Sequence, residues 1–195
     1  HRLASAAWDQ GWLAKEAFAV GDLQRDEGIR PEADPETLAG LAPVFHEDGQ
    51  ITAGNSSQVS AGASAVLIAS METAERHDLP VLARISDFTT AGVEPDRVMN
   101  APIPAIETLL QRSGLSIDDI DVLEHNEAFA SASCAIRSYF GVRDDRFNVH
   151  GGSAGPDAGD VHLLRDYPAG HSSLRCLGGE GHLGGWNDLW NERHT

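Results

Sequence analysis

Short aliphatic runs alternate with amphipathic segments through the middle of the chain, and this alternation constrains the fold more than any other feature of the sequence. Ala65-Val66-Leu67-Ile68-Ala69 is a continuous apolar run of the length and kind that suits a strand covered on both faces. Val81 to Phe88 reads as a second strand, Ile117 to Leu123 as a turn feeding a third, and Arg146 to Val149 as a brief fourth. Between them, helical spacing runs over Met71 to His77, Pro104 to Arg112 with Gly114 as its stop, and Glu127 to Phe140. The expectation is an α/β layered domain, and 195 residues suffice for one well-filled core and a small appendage rather than two domains.

The flanks are less regular. His1 to Lys15 has a helical pattern in which Leu3, Ala6, Ala7, Trp8 and Leu13 share a face. Asp22 to Pro43 is charged, proline-bearing and aperiodic; it reads as a long surface excursion, either a solvated connector or a binding loop. His46-Glu47-Asp48-Gly49 forms a turn, and a Gly/Ser/Ala-rich stretch follows it. After Gly152 the texture changes again, to a glycine-rich tail with four of the nine histidines and no sustained period. The chain opens on His1 rather than Met, which fits a piece of something longer.

Charge narrows the partners. A net charge of −16 with no Lys/Arg cluster offers no phosphate-neutralising stripe, so nucleic acid is not an expected partner. The same acidity opposes any phosphate-bearing small molecule unless a local basic patch or a helix N-terminus offsets it. No apolar run approaches the roughly 20 residues that span a bilayer, so no membrane association is expected. Two cysteines, Cys134 and Cys176, without C-x-x-C spacing predict no metal site and a reducing compartment, by default the cytoplasm.

The stretch "LEHNEAFASAS" (123–133) sets His125, Asn126 and Glu127 at a strand-to-helix junction, where sites collect in α/β proteins. On residue chemistry, Asn126 and Glu127 read as an N-cap and a first-turn acid. Ser56 and Ser57 read as turn residues, Phe129 as core and Cys134 as a small buried hydrophobe.

Three stretches then occur in a specific order: "TAGNSSQVSAGASAVL" (52–67), "NEAFA" (126–130) and "NVHGG" (148–152). Together they resemble the C-terminal half of a thiolase, an acyl-CoA acyltransferase, and "DEGIRPEADPETLAGLAPVF" (26–45) resembles the loop segment before that half. The resemblance runs nearly continuously over residues 1–152, with a short echo at Cys176. It implies a thiolase-like α-β-α fold: residues 1–49 as the end of the loop domain, 50–152 as the C-terminal domain, and 153–195 as a degenerate or diverged tail.

By the same resemblance, Asn126 holds a water that, with an active-site His, stabilises negative charge on a thioester oxygen. Ser57, with Ser56 beside it, contacts coenzyme A, and Phe129 lines the pantetheine channel. Arg25 and Arg30 lie in the CoA-side loop, within reach of the ligand's phosphates. Coenzyme A or acyl-CoA enters as substrate, with no permanently bound cofactor. In the C-x-G triplet, Cys176 matches the residue that moves protons on the attacking substrate, and Gly178 supplies an N–H to a second oxyanion hole.

The pattern also departs from the family. "NVHGG" is not followed by G-H-P, whose His activates the nucleophilic Cys. Its position would fall near Gly159, with His162 the next imidazole, and Gly155-Pro156 as a remnant of the triplet is a further reading. The nucleophilic Cys belongs to the N-terminal half, so the chain alone is expected to be inactive and to work in a homo-oligomer or with such a half. A non-catalytic acyl-CoA-binding or scaffold subunit, and a gene remnant, stand as alternatives. The altered tail fits either a disrupted reading frame or divergence after loss of chemistry.

Overall fold

Helix α4, Pro102–Ser113, shows how local sequence builds the layer that frames the site. Proline stands at its start, where a missing N–H costs nothing, and Gly114 ends it at φ +67° in the left-handed region. Pro102, Ala105, Ile106 and Leu109 recur at helical spacing and form its buried face. Helix α5, Ala130–Phe140, ends the same way at Gly141 and buries Ala132, Ser133 and Ile136. Ile106, Leu109, Ile120, Leu123, Ile136 and Phe147 make one core between these helices and strand β2, Val122–His125. Each fully buried aliphatic side chain there contributes about 1.5–3 kcal/mol.

The computed structural model describes residues 1–13, 17–59, 63, 65–152, 160–165 and 172–178, the last two stretches as backbone. Its remaining elements are helix α1 (Arg2–Asp9), a short α2 (Pro35–Ala39) that Asp34 caps through the N–H groups of Glu36 and Thr37, α3 (Met71–Arg76) capped by Ser70, and strands β1 (Ala83–Thr89), β3 (Asp160–Arg165) and β4 (Ser172–Gly178). The sheet is mixed, in the order β1-β4-β3-β2: β1 and β4 run parallel, and β3 is antiparallel to both β4 and β2. Along β2, Leu123 joins the α4/α5 core, while Val122 on the opposite face lines a cleft beside α1.

Several sequence expectations change. The apolar run 65–69 is not a strand: it is an extended loop whose Val66, Leu67 and Ile68 are 78%, 79% and 60% exposed. Hydropathy makes such a run fit for a buried strand, but only a neighbour can supply its ladder, and no described strand pairs with it. Helix α1 stops at Asp9, short of the expected Lys15, and Gly11 follows at φ +77°. Arg146 to Val149 holds no strand; a 3-10 turn, Asp144–Arg146, precedes a single bridge from Phe147 to Leu123. The surface excursion 22–43 contains α2, and two strands fall within the tail that showed no period.

Candidate active site

Strand β2 ends on His125, and its polar neighbours lock that end. The buried Asn148, at φ +44°, presents its side-chain amide to His125 as another strand would: Oδ1 accepts from the His125 N–H at 2.7 Å, and Nδ2 donates to the His125 carbonyl at 2.9 Å. The His125 ring is buried, with Nδ1 2.8 Å from the Ser133 hydroxyl on α5. Burial pushes its pKa down to about 4, so the imidazole is neutral at physiological pH. Neither Ser133 nor Asn148 stood out in the sequence as a partner of His125, because nothing in the local pattern marks partners 8 and 23 residues away.

Beyond His125, helix α5 does not start where expected. Phe129 occupies the N-cap position and the first turn contains no acid, so Asn126 is not a cap and Glu127 is not a first-turn charge. Instead, residues 128–130 pair with the Thr52–Ser57 segment. The Ser57 N–H donates to the Ala128 carbonyl at 2.8 Å, and the Ala130 N–H donates to the Asn55 carbonyl at 2.9 Å. These two bonds flank a bridge between Ser56 and Phe129. The Ser56 hydroxyl donates to the Thr52 carbonyl, and Asn55 closes the same turn through the Thr52 N–H and the Gln50 carbonyl. Phe129 packs edge-on against Phe45, with centroids 6.0 Å apart. A Cβ at Gly28 would fall on the Gln58 amide, so the 26–30 turn lies directly against the same loop.

With the cap role gone, Asn126 is left with a buried Oδ1 that has no hydrogen-bond partner among the described residues. A buried amide oxygen without a donor is costly, and such atoms in native structures mark an ordered water or a ligand group. The third motif closes the other side. The Glu127 carboxylate lies against Gly152, and the Val149 N–H donates to the Glu124 carboxylate. Burial first, and then the nearby Glu127 charge, push Glu124 up to about 7 against the pull of that hydrogen bond. The structure thus brings Ser56, Ser57, Asn126, Phe129 and the 148–152 segment into one neighbourhood.

The other predicted residues divide. Arg25 bonds Asp9 at 2.9 Å and the Ser5 hydroxyl at 3.1 Å, with its guanidinium above the Trp8 ring; it pins the excursion to α1. Arg30 is exposed and its guanidinium makes no ion pair with any described residue. Cys134 is exposed on α5 rather than buried, because the helix turns Ser133 and Ile136 inward instead. Cys176 and Gly178 lie on β4, where Cys176 stands opposite His162 and Gly178 opposite Asp160. Gly155, Pro156 and Gly159 lie outside the described residues. A cleft of about 530 Å³ lies beside α1, lined by Leu3, Ala6, Trp12, Val122, Arg146 and His150, and includes neither Asn126 nor Ser57.

Two family models match the chain in tandem: "Thiolase, N-terminal domain" over residues 1–72 and "Thiolase, C-terminal domain" over residues 79–155. The chain belongs to the thiolase family. The models join between 72 and 79, whereas the resemblance implies a division at 49/50. A 3-oxoadipyl-CoA/3-oxo-5,6-dehydrosuberyl-CoA thiolase of Escherichia coli is 41% identical over 163 residues, covering 84% of this chain and 39% of that protein. The dimeric peroxisomal thiolase of Saccharomyces cerevisiae superposes with a TM-score of 0.72 at 38% identity, over 79% of this chain and 41% of its own. Human mitochondrial 3-ketoacyl-CoA thiolase in complex with CoA does so at 0.74 and 38%, over 78% and 40%. The fold is therefore that of a thiolase, and the chain spans about two fifths of the length of these relatives.

Proposed function

We propose that the chain forms the CoA-binding side of a thiolase-type acyltransferase, acting in thiolysis of a 3-oxoacyl-CoA or in the reverse Claisen condensation. The observation that carries this reading is the unpartnered, buried Asn126 Oδ1 at the place where three family motifs meet. Both reaction directions put negative charge on a thioester oxygen, and a water held by Asn126 is a fixed donor awaiting it. The segment 55–57 borders the pantetheine arm, Phe129 lines its channel, and Arg30 has the uncommitted charge for the phosphates, with Arg25 holding the loop beneath it. Cys176 moves the proton on the attacking carbon, and the Gly178 N–H supports the second oxyanion. CoA comes and goes as substrate, and no permanent cofactor takes part.

Turnover on this reading needs the nucleophilic Cys of a thiolase N-terminal half, supplied in cis or by a partner, and a homo-oligomer or such a half is the expected assembly. The cytoplasm is the proposed location, supported by the small number of cysteines, Cys134 and Cys176, and their lack of C-x-x-C spacing. The absence of G-H-P after "NVHGG" favours one second reading, an acyl-CoA-binding subunit without turnover. One experiment separates them. In enzyme reconstituted with an N-terminal half, Asn126→Ala is expected to lower kcat about a hundredfold or more while KM changes little. A loss confined to KM, or binding of acyl-CoA with no turnover in the unsubstituted protein, overturns the catalytic reading.

A further inference from the structure

Asn126 sits between two anchors that reach the same segment. On its N-terminal side, the Asn148 amide clamps the His125 backbone through both of its hydrogen bonds. On its C-terminal side, the Ala128 N–H donates back to the Asn126 carbonyl at 3.0 Å, a three-residue turn with Glu127 at its apex. From that apex the Glu127 side chain folds onto Gly152. Asn148 and Gly152 are the two ends of the third motif, which the Gly151 N–H curls into a turn by donating to the Asn148 carbonyl at 2.8 Å. The Val149 N–H of that turn donates to Glu124. The peptide that carries the buried, unpartnered Asn126 Oδ1 is thus gripped before and after by one loop.

We propose that Glu127 is a positioning residue, which holds the Asn126 carboxamide at the angle that turns its Oδ1 toward a water facing the thioester oxygen. The proposal rests on the reading that the chain binds CoA thioesters and uses Asn126 on them. A donor awaiting charge is effective only where it is already fixed, and a displacement of about 1 Å in a site can cost about a hundredfold in rate. No described group bonds Asn126 Oδ1, so hydrogen bonding at that atom does not set its direction. The backbone on either side does. Asn148 fixes the His125 side of it, and Glu127, braced on Gly152, fixes the other. Glu127 therefore acts through Asn126 and has no contact of its own to make with substrate.

The test is a double-mutant cycle on enzyme reconstituted with a thiolase N-terminal half. Glu127→Ala is expected to lower kcat about tenfold or more while KM changes less than about twofold, and Glu127→Gln, whose amide oxygen makes the same contact, is expected to recover most of the loss. In an Asn126→Ala background, Glu127→Ala is expected to cost less than about twofold further, because the group it positions is gone. Additive losses, or a loss confined to KM, overturn the proposal and leave Glu127 a structural residue. Should Glu127→Ala fail to fold, Glu127→Asp, which draws the carboxylate back by a methylene, takes its place with the same expectations. A second readout uses the isotope-labelled 195-residue chain: the Asn126 side-chain amide resonance is expected to move in Glu127→Ala while the backbone amides of Ile106 and Leu109 stay still. An unmoved Asn126 resonance overturns the anchor. Asn126→Ala with kcat unchanged overturns the underlying reading, and the use of Glu127 in turnover with it, even where the resonance moves.

Discussion

Residues 101–148 and residues 65–69 are both rich in aliphatic side chains, yet only the first stretch hides them. Ile106 and Ile136 are fully buried and Leu109 and Leu123 nearly so, whereas Val66, Leu67 and Ile68 stand mostly in solvent. The difference is not in hydropathy. In the first stretch each apolar face meets a neighbour, α4 on β2 and α5 on both, while no described strand lies beside 65–69. Burial is a property of pairs of elements, and a single segment carries only half of the information.

The largest effect sharpens this contrast. Leu109→Ala is expected to cost about 2–5 kcal/mol in urea unfolding, because the cavity it leaves is closed on all sides. Leu67→Ala is expected to stay within about 0.5 kcal/mol. Equal losses would mean that the 65–69 run is covered in the working protein. Next in size, Asn148→Ala removes both bonds to the His125 backbone and is expected to cost about 1–3 kcal/mol. A loss near zero would show that the junction is held by the core alone.

The smallest effect concerns pH, where neighbouring residues on β2 act with opposite signs. Glu124 has its pKa raised from 4.5 to about 7, so the folded state holds its proton more tightly; that contribution is full below 4.5 and lost as pH rises through about 7. His125 has its pKa lowered from 6.5 to about 4, so its contribution is present above 6.5 and lost as pH falls through about 4. Glu124→Gln removes the first limb. Its stability relative to the unsubstituted chain is expected to rise between about pH 5 and about pH 8, measured as urea midpoints. A difference that does not vary with pH would place Glu124 in water.

The parts of the fold written in local chemistry were legible in the sequence. Gly114 and the 102–109 spacing mark α4, and the order of the three motifs marks the family and its layered fold. What was not legible depends on distant partners. Asn126-Glu127 has the chemistry of a helix start, but pairing of 128–130 with 55–57 holds the chain extended there and delays α5 to Ala130. His125 looked like one of three polar neighbours until Ser133 and Asn148 enclosed it. Ser57 and Phe129 were singled out separately, and only the backbone bonds between their segments make them one neighbourhood.

The most direct test of that neighbourhood is a titration of CoA into the isotope-labelled chain, following backbone amide resonances by NMR. The expected result is that the amides of Ser56, Ser57, Ala128 and Phe129 shift together and saturate at one concentration, while those of Leu3, Ala6 and Trp12 in the α1 cleft stay still. Shifts confined to the cleft, or none at Ser57 and Phe129, would contradict a CoA site built where the three motifs meet.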